Sequence, residues 1–280
     1  MRTKLLISAL CAFAALTGSA DVNGKLTLKT GDVYSGKMRW SARDKAYVVT
    51  KGKLETQYKA ADVESIDVEK PAAFDAAAAQ VAKGQGAAAI PALQKIVKDY
   101  AHLQWDKTAG RYLAEAYVAA EKPAEALKVC QGIIDGEPSA AYRGDLAPAY
   151  WSALLSQNRQ SQLEKALEKA EKGDDRFSHG AALIMRGDIA MKAGNGSNDA
   201  CKKALIDGYL RVVYLYKDAE IADRLQPEAL YKAARCFDKL NQSGRADTMR
   251  TELKRTYANS PWASKCRMMN EESRVNSFLT

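Results

Sequence analysis

Imidazoles are scarce in this chain. Among 280 residues only His102 and His179 carry one, so a site built from several histidines is excluded. Cysteine is sparse too, and no two of Cys11, Cys130, Cys201, Cys236 and Cys266 stand in a C-x-x-C spacing. That removes the usual redox motif and the zinc ribbon. The chain has no G-x-S-x-G, no H-E-x-x-H, no phosphate-binding Walker loop and no G-x-G-x-x-G. Beyond residue 20 it offers no run of 18 apolar residues, the length a membrane-spanning helix needs. No catalysis, cofactor or metal is therefore expected. What is present is the composition of a packed chain: 47% hydrophobic residues and 27% charged residues of both signs. The length allows one large domain or two smaller ones.

Residues 1–20 read MRTKLLISALCAFAALTGSA. Arg2 and Lys4 precede an apolar stretch from Leu5 to Leu16, and Gly18-Ser19-Ala20 supplies small residues for cleavage. This is the pattern of a secretory signal peptide, and export to the periplasm or cell envelope is expected. Cys11 lies within the apolar stretch and would leave with it. The remaining 40 basic and 34 acidic residues give the mature chain a net charge of +6. Its four cysteines allow three complete pairings that sequence cannot rank, and buried free thiols are an equal alternative.

Residues 21–70 alternate at period two. Leu26 and Leu28 alternate with Lys25, Thr27 and Lys29, and Tyr34, Gly36, Met38 and Trp40 share one face of the next segment. Further strands are expected at 46–50, 54–59 and 63–68, with a single helical turn at Ala60-Ala61-Asp62. Five short strands and the stretch LKTGDVYSGKM resemble SH3-like and Sm-like small barrels. Nine basic residues against three acidic ones between 25 and 59 give the module a local charge of +6. Lys37, Arg39, Arg43, Lys45, Lys51 and Lys53 are its candidate anionic-ligand residues, with Tyr34, Trp40, Tyr47 and Tyr58 interleaved. The alternative is a solvated face whose aromatics form the barrel core.

From Pro71 the texture changes to Ala, Leu, Lys and Glu at helical spacing. Leu113-Ala114, Tyr117, Ala126, Ile133 and Pro138 recur as Ala233-Ala234, Phe237, Ala246, Leu253 and Pro261 with nearly the same offsets. Those offsets resemble the tetratricopeptide repeat, a 34-residue helix–turn–helix unit. Looser repeats are expected between them and before them, with landmarks at Ala89, Ala126, Leu163, Ala204 and Ala246. The stretch EALYKAARCFDKL…YANSPWA resembles periplasmic tetratricopeptide proteins of the type associated with the Tol–Pal system. The expected fold is mostly α: a five-stranded SH3/Sm-like barrel over 21–70, then about five helical hairpins forming an α-α superhelix over 71–262. Residues 263–280 are expected to form a capping helix or tail.

The resemblance implies that the first helix of each repeat faces a groove. Carried over position by position, the groove residues are Thr108, Arg111, Glu115 and Val118 in the second repeat, Asp145, Pro148, Ser152 and Leu155 in the third, Ala181, Ile184, Asp188 and Met191 in the fourth, and Glu228, Tyr231, Arg235 and Asp238 in the last. Of these, Arg111, Glu115, Ile184, Asp188, Met191, Tyr231 and Arg235 are the candidate partner-binding residues. The Lys/Asn clamp for a peptide carboxylate is missing, which argues against a chaperone tail as ligand. The expected function is non-enzymatic: an exported scaffold or assembly factor of the bacterial envelope that binds another envelope protein or peptide segment. The alternative is an envelope protein binding an anionic polymer (glycan, lipid headgroup or nucleic acid) through the basic module. Salt dependence separates the two.

Overall fold

The computed structural model describes residues 21–267. The signal-peptide reading and the end of the expected C-terminal tail fall outside the described residues. The described chain divides into two compact units, one comprising 21–69 with 98–103 and the other 70–97 with 104–267.

In the first unit every expected strand forms: β1 (Val22–Leu28), β2 (Val33–Ser41), β3 (Ala46–Lys51), β4 (Leu54–Lys59) and β5 (Val63–Val68). The helical turn Ala60–Asp62 precedes the last of them. All pairings are antiparallel, in the order β4-β3-β2-β1-β5, so β5 returns to lie beside β1. Gly24 of β1 sits opposite Gly36 of β2. A Cβ at Gly36 would stand 2.5 Å from the Thr50 carbonyl oxygen, and one at Gly24 2.6 Å from that of Asp67. Both positions need glycine because the backbones approach too closely for any side chain.

Leu26, Met38, Ala46, Val48, Val49 and Val68 are buried. The aromatics lie outside this set. Tyr34 is exposed and its ring lies 4.6 Å from that of Tyr58, while half-buried Trp40 stacks against Tyr47 and His102 at 4.8 and 4.4 Å. Aliphatic side chains thus fill the interior, and the rings pair at its margins.

The second unit consists of five successive helix pairs. They are α1 (Phe74–Ala82) with α2 (Gly86–Asp99), α3 (Trp105–Ala119) with α4 (Pro123–Ile134), and α5 (Leu146–Ser156) with α6 (Gln160–Lys172). The fourth joins α7 (Arg176–Ala193) to α8 (Asn198–Ala204), a π-helical segment Leu205–Tyr209 and α9 (Leu210–Leu215). The fifth joins α10 (Ala219–Lys239) to α11 (Ser243–Thr256), and residues 261–267 begin another helix.

Local chemistry sets these boundaries. Gly84, at φ +78, makes the turn between α1 and α2. Asp175 caps α7 by accepting from the Ser178 amide at 3.1 Å, and Ser197 caps α8 by accepting from that of Ala200 at 3.2 Å.

The landmarks Ala89, Ala126, Leu163 and Ala246 are each the fourth residue of a second helix, and all are at most 1% exposed. In the fourth pair that position belongs to Cys201, not to the expected Ala204. Ala126 follows the first-helix landmark Ala114 by twelve positions, and Ala246 follows Ala234 by the same number. In the fourth pair fourteen separate Gly187 from Cys201, because the turn 194–197 is longer. Both Ala204 and Cys201 are buried, so burial pattern alone could not distinguish them.

Candidate functional site

The first helices of the second, third, fourth and fifth pairs line a common cavity of about 410 Å³. Arg111, Glu115 and Val118 face it from α3, and Asp145, Pro148 and Ser152 from α5 and its N-terminal boundary. Ala181, Ile184, Met185 and Asp188 face it from α7, and Arg224, Leu225, Glu228 and Lys232 from α10. Val81 and Gly84 at the end of α1, Phe177 of α7, and Trp262 and Lys265 of helix 261–267 also line it. Four carboxylates and four cations therefore meet around an apolar wall that includes Phe177, Ile184 and Trp262.

Most of these charges are already engaged. Lys232 donates to Asp188 at 2.6 Å and pairs with Glu228 at 2.6 Å. Tyr209 of the π segment donates its hydroxyl to the other Asp188 oxygen at 2.8 Å. Burial works against the Lys232 ammonium, but the Glu228 and Asp188 carboxylates outweigh it and hold the group protonated. Burial, reinforced by the Asp188 charge, raises the Tyr209 phenol far above its ordinary value and keeps it a donor. Arg224 pairs with Asp145 and lies 3.5 Å above the Phe177 ring.

Glu115 is the least committed carboxylate. Its nearest cation is Arg111 at 3.8 Å, and the residue is half-buried in the cavity wall. That lodging, opposed by Arg111 but reinforced by the Glu228 and Asp145 charges, pushes its carboxyl above the usual range. The Lys265 ammonium lies 4.3 Å over the Trp262 ring. Such a cavity offers hydrogen bonding and apolar contact at fixed positions.

Of the seven candidate partner-binding residues, Arg111, Glu115, Ile184 and Asp188 line this cavity, as do the carried-over groove positions Val118, Asp145, Pro148, Ser152, Ala181 and Glu228. Met191, Tyr231 and Arg235 do not. The Met191 sulfur lies 3.8 Å from Cys236, off the cavity. The Tyr231 ring packs 5.2 Å from that of Trp262, and Arg235 lies 5.9 Å from the Tyr231 ring. Trp262 of helix 261–267 packs on Tyr231, and on α10 the cavity-facing row keeps the expected Glu228 but runs through Arg224 and Lys232. Lys232, Arg224, Tyr209, Trp262 and Lys265 were missed by sequence reading. The i, i+4 row Arg224, Glu228, Lys232 on one helix was the available signal for two of them.

In the first unit, an open cleft of about 790 Å³ is lined by Lys25, Lys37 and Lys51, with Asp21, Asp67 and Glu69 facing the same space. Arg39 is held by Glu55 at 3.1 Å and Asp21 at 3.9 Å. Arg43 and Lys45 stand in the β2–β3 turn and Lys53 in the β3–β4 turn, at opposite ends of β3. Six residues of strand put those turns roughly 17 Å apart. The six candidate basic residues therefore do not gather on one face.

A five-stranded antiparallel sheet followed in sequence by an array of tetratricopeptide-like helix pairs is the class of protein these elements define. No protein-family model matches the chain, and no curated protein matches it. Among solved structures, the chain is similar to the nearly identical TPR-like repeats of a Podosopora anserina protein described as a kinesin light chain. Identity is 15%, the match covers 64% of this chain and 90% of that one, and the TM-score is 0.38. Among the described residues no helix is long and apolar enough to cross a membrane.

Proposed function

We propose that this chain is a non-enzymatic interaction protein, exported as residues 1–20 suggest, that serves as a scaffold or assembly factor in the bacterial cell envelope. A segment of a partner protein occupies the cavity between α3, α5, α7 and α10. The observation that carries this reading is the convergence of four first helices on one preformed cavity with paired charges and an apolar wall. Helix pairs stacked in series hold such a surface rigid, which lowers the ordering cost of binding. Ile184, Phe177 and Trp262 would take apolar side chains. Glu115 and Lys265, the least committed charges, would take polar groups of the segment.

The second reading, an anionic polymer on the basic sheet, draws on the local charge of +6 between residues 25 and 59. It is the weaker one, since three carboxylates offset the three lysines of the cleft and Arg39 is already paired.

Cross-linking and capture from native envelopes, with the full chain as bait at low and raised salt, test the proposal. One stoichiometric protein, retained at raised salt and lost with Arg111→Ala combined with Asp188→Ala, is the expected result. Recovery of glycan or lipid that disappears at raised salt and with Lys37→Glu combined with Lys51→Glu would move recognition to the sheet.

A further inference from the structure

The sheet has two open edges, and one of them is complementary to itself. In the order β4-β3-β2-β1-β5, no strand lies beyond β4 or beyond β5 among the described residues. β4 leaves β3 through the tight turn Gly52-Lys53, which joins the opposed pair Lys51 and Leu54. The Ala60 amide donates to the Lys45 carbonyl at 3.5 Å, and this fixes the phase of the ladder. Hydrogen-bonded and non-hydrogen-bonded pairs alternate between antiparallel strands, so Leu54, Thr56 and Tyr58 are the residues that bond to β3. Glu55, Gln57 and Lys59 therefore turn their backbone N–H and C=O groups outward, along the open edge. Every residue of β4 except Tyr58 is exposed, and Leu54 is 69% exposed.

The two edges carry different charges. The charged residues of β5, Glu64 and Asp67, are both acidic, and its pairing with β1 is irregular at Thr27 and Leu28. Two copies of β5 would bring only like charges together. On β4 one carboxylate, Glu55, and one ammonium, Lys59, flank Gln57 symmetrically. A second β4 laid antiparallel about Gln57 sets its Lys59 opposite Glu55 and its Glu55 opposite Lys59. All the outward-facing backbone groups are in phase for that register. Glu55 is already oriented by Arg39 at 3.1 Å. On the other face Thr56 stands opposite Tyr58 of the second copy, and Leu54 lies diagonal to that ring, within reach of it.

We propose that two copies of this chain pair through β4, antiparallel about Gln57, so that one sheet runs continuously across both. The pairing is isologous, so it closes at two copies and leaves no free β4 to recruit a third. It also covers an edge that would otherwise be an open template for strand addition. One strand pair buries little area, which places the expected dissociation constant at about 1–100 µM. The pairing is independent of what the cavity holds.

Size exclusion of the full chain at rising concentration, with the mass read by light scattering, tests the proposal. The mass should rise from one copy to two across roughly 1–100 µM and stop there. Gln57→Pro should hold the chain at one copy: its N–H faces the edge, where proline is tolerated without loss of the strand. Lys59→Glu sets two carboxylates opposite each other at both ends of the pairing and should weaken it about tenfold. Glu55→Lys should weaken it likewise by opposing two ammonium groups. An equimolar mixture of the Lys59→Glu and Glu55→Lys chains restores opposite charges at both ends and should recover the two-copy mass at the wild-type concentration. Gln57→Pro and Lys59→Glu decide the matter if Glu55→Lys, which costs Arg39 its partner, does not fold. A chain that stays at one copy throughout would overturn the proposal. So would a mass that keeps growing with concentration, as β4-to-β5 pairing would give, or a two-copy mass indifferent to Gln57→Pro and Lys59→Glu.

Discussion

The second and fourth helix pairs solve the same packing problem differently. In the second, Ala114 and Ala126 are both fully buried, and the helices need no residue smaller than alanine at those landmarks. Gly110 of α3 faces only the far end of Ile133, whose Cδ1 would stand 2.3 Å from an added Cβ. In the fourth, the second helix carries a π segment, and α7 meets it backbone to backbone. A Cβ on Gly208 would stand 2.6 Å from the Leu183 carbonyl oxygen and 2.8 Å from the Gly187 amide nitrogen. One added Cβ on Gly187 would come 2.3 Å from the Tyr209 ring. The difference has a function: the wider π turn seats Tyr209 against Asp188, at the edge of the cavity. The second pair reaches the cavity through the side chains of a regular α3, whereas in the fourth pair the irregular second helix also supplies Tyr209 as a partner to the cavity residue Asp188.

The sharpest way to break this comparison is a methyl group in each pair. Gly208→Ala should cost about 3 kcal/mol, since backbone cannot yield, and lower the Tm by roughly 6–12 °C. Gly110→Ala should cost under about 1 kcal/mol, because Ile133 can change rotamer and alanine favours the helix. Equal losses in thermal denaturation would refute the account of the fourth pair.

Next in size is Gln226. Its buried amide nitrogen donates to the carbonyls of Val212 and Tyr216 at 2.9 and 2.8 Å, finishing α9 just before Pro227 of α10. Gln226→Leu should cost about 2 kcal/mol by stranding the Tyr216 carbonyl, the Val212 carbonyl still accepting from the Tyr216 amide at 3.1 Å; the loss is measurable as a lower denaturant midpoint at unchanged slope.

Asp175→Ala should cost about 1 kcal/mol at pH 7 through loss of the α7 cap. Burial works against this carboxylate, yet the hydrogen bonds from Ser178 and Gly144 and the Arg143 charge together hold its pKa below the ordinary value. Its stabilisation is therefore complete above pH 3.8 and lost as pH falls through the lower native value. The difference between wild type and variant should shrink in that acid range.

Glu115 gives the smallest effect and the opposite sign. With its pKa raised by burial, its favourable contribution is complete below pH 4.5 and lost as pH rises through the native value. Glu115→Gln should therefore leave stability unchanged or slightly higher at pH 7 and confer no gain at pH 4, as read by paired melts at the two values.

Much of the fold was legible in the sequence because its signals are local. Period-two alternation and Gly31-Asp32 and Lys51-Gly52-Lys53 punctuation located every strand of the sheet, and the offsets around Ala126 and Ala246 located the helix pairs. Four groove positions, Arg111, Glu115, Ile184 and Asp188, followed from the same register and do share one cavity. What stayed hidden depends on three-dimensional approach. Cys201 takes the landmark position in a pair whose turn, 194–197, has four residues where the other pairs have three. Tyr231 and Arg235 have the right periodicity, but helix 261–267 packs on their side of α10. The six basic candidates of the sheet are close in sequence, yet the two turns hold some of them at opposite ends of one strand.

The central claim is that recognition uses the cavity between α3, α5, α7 and α10. A photo-cross-linking amino acid placed at Val118, which lines the cavity, or at Ile206, which is 68% exposed and lies outside it, tests that directly in native envelopes. The account predicts one discrete partner adduct from position 118, none from position 206, and loss of the first when Asp188→Ala is added. Adducts of equal yield from both positions, or from position 206 alone, would contradict it.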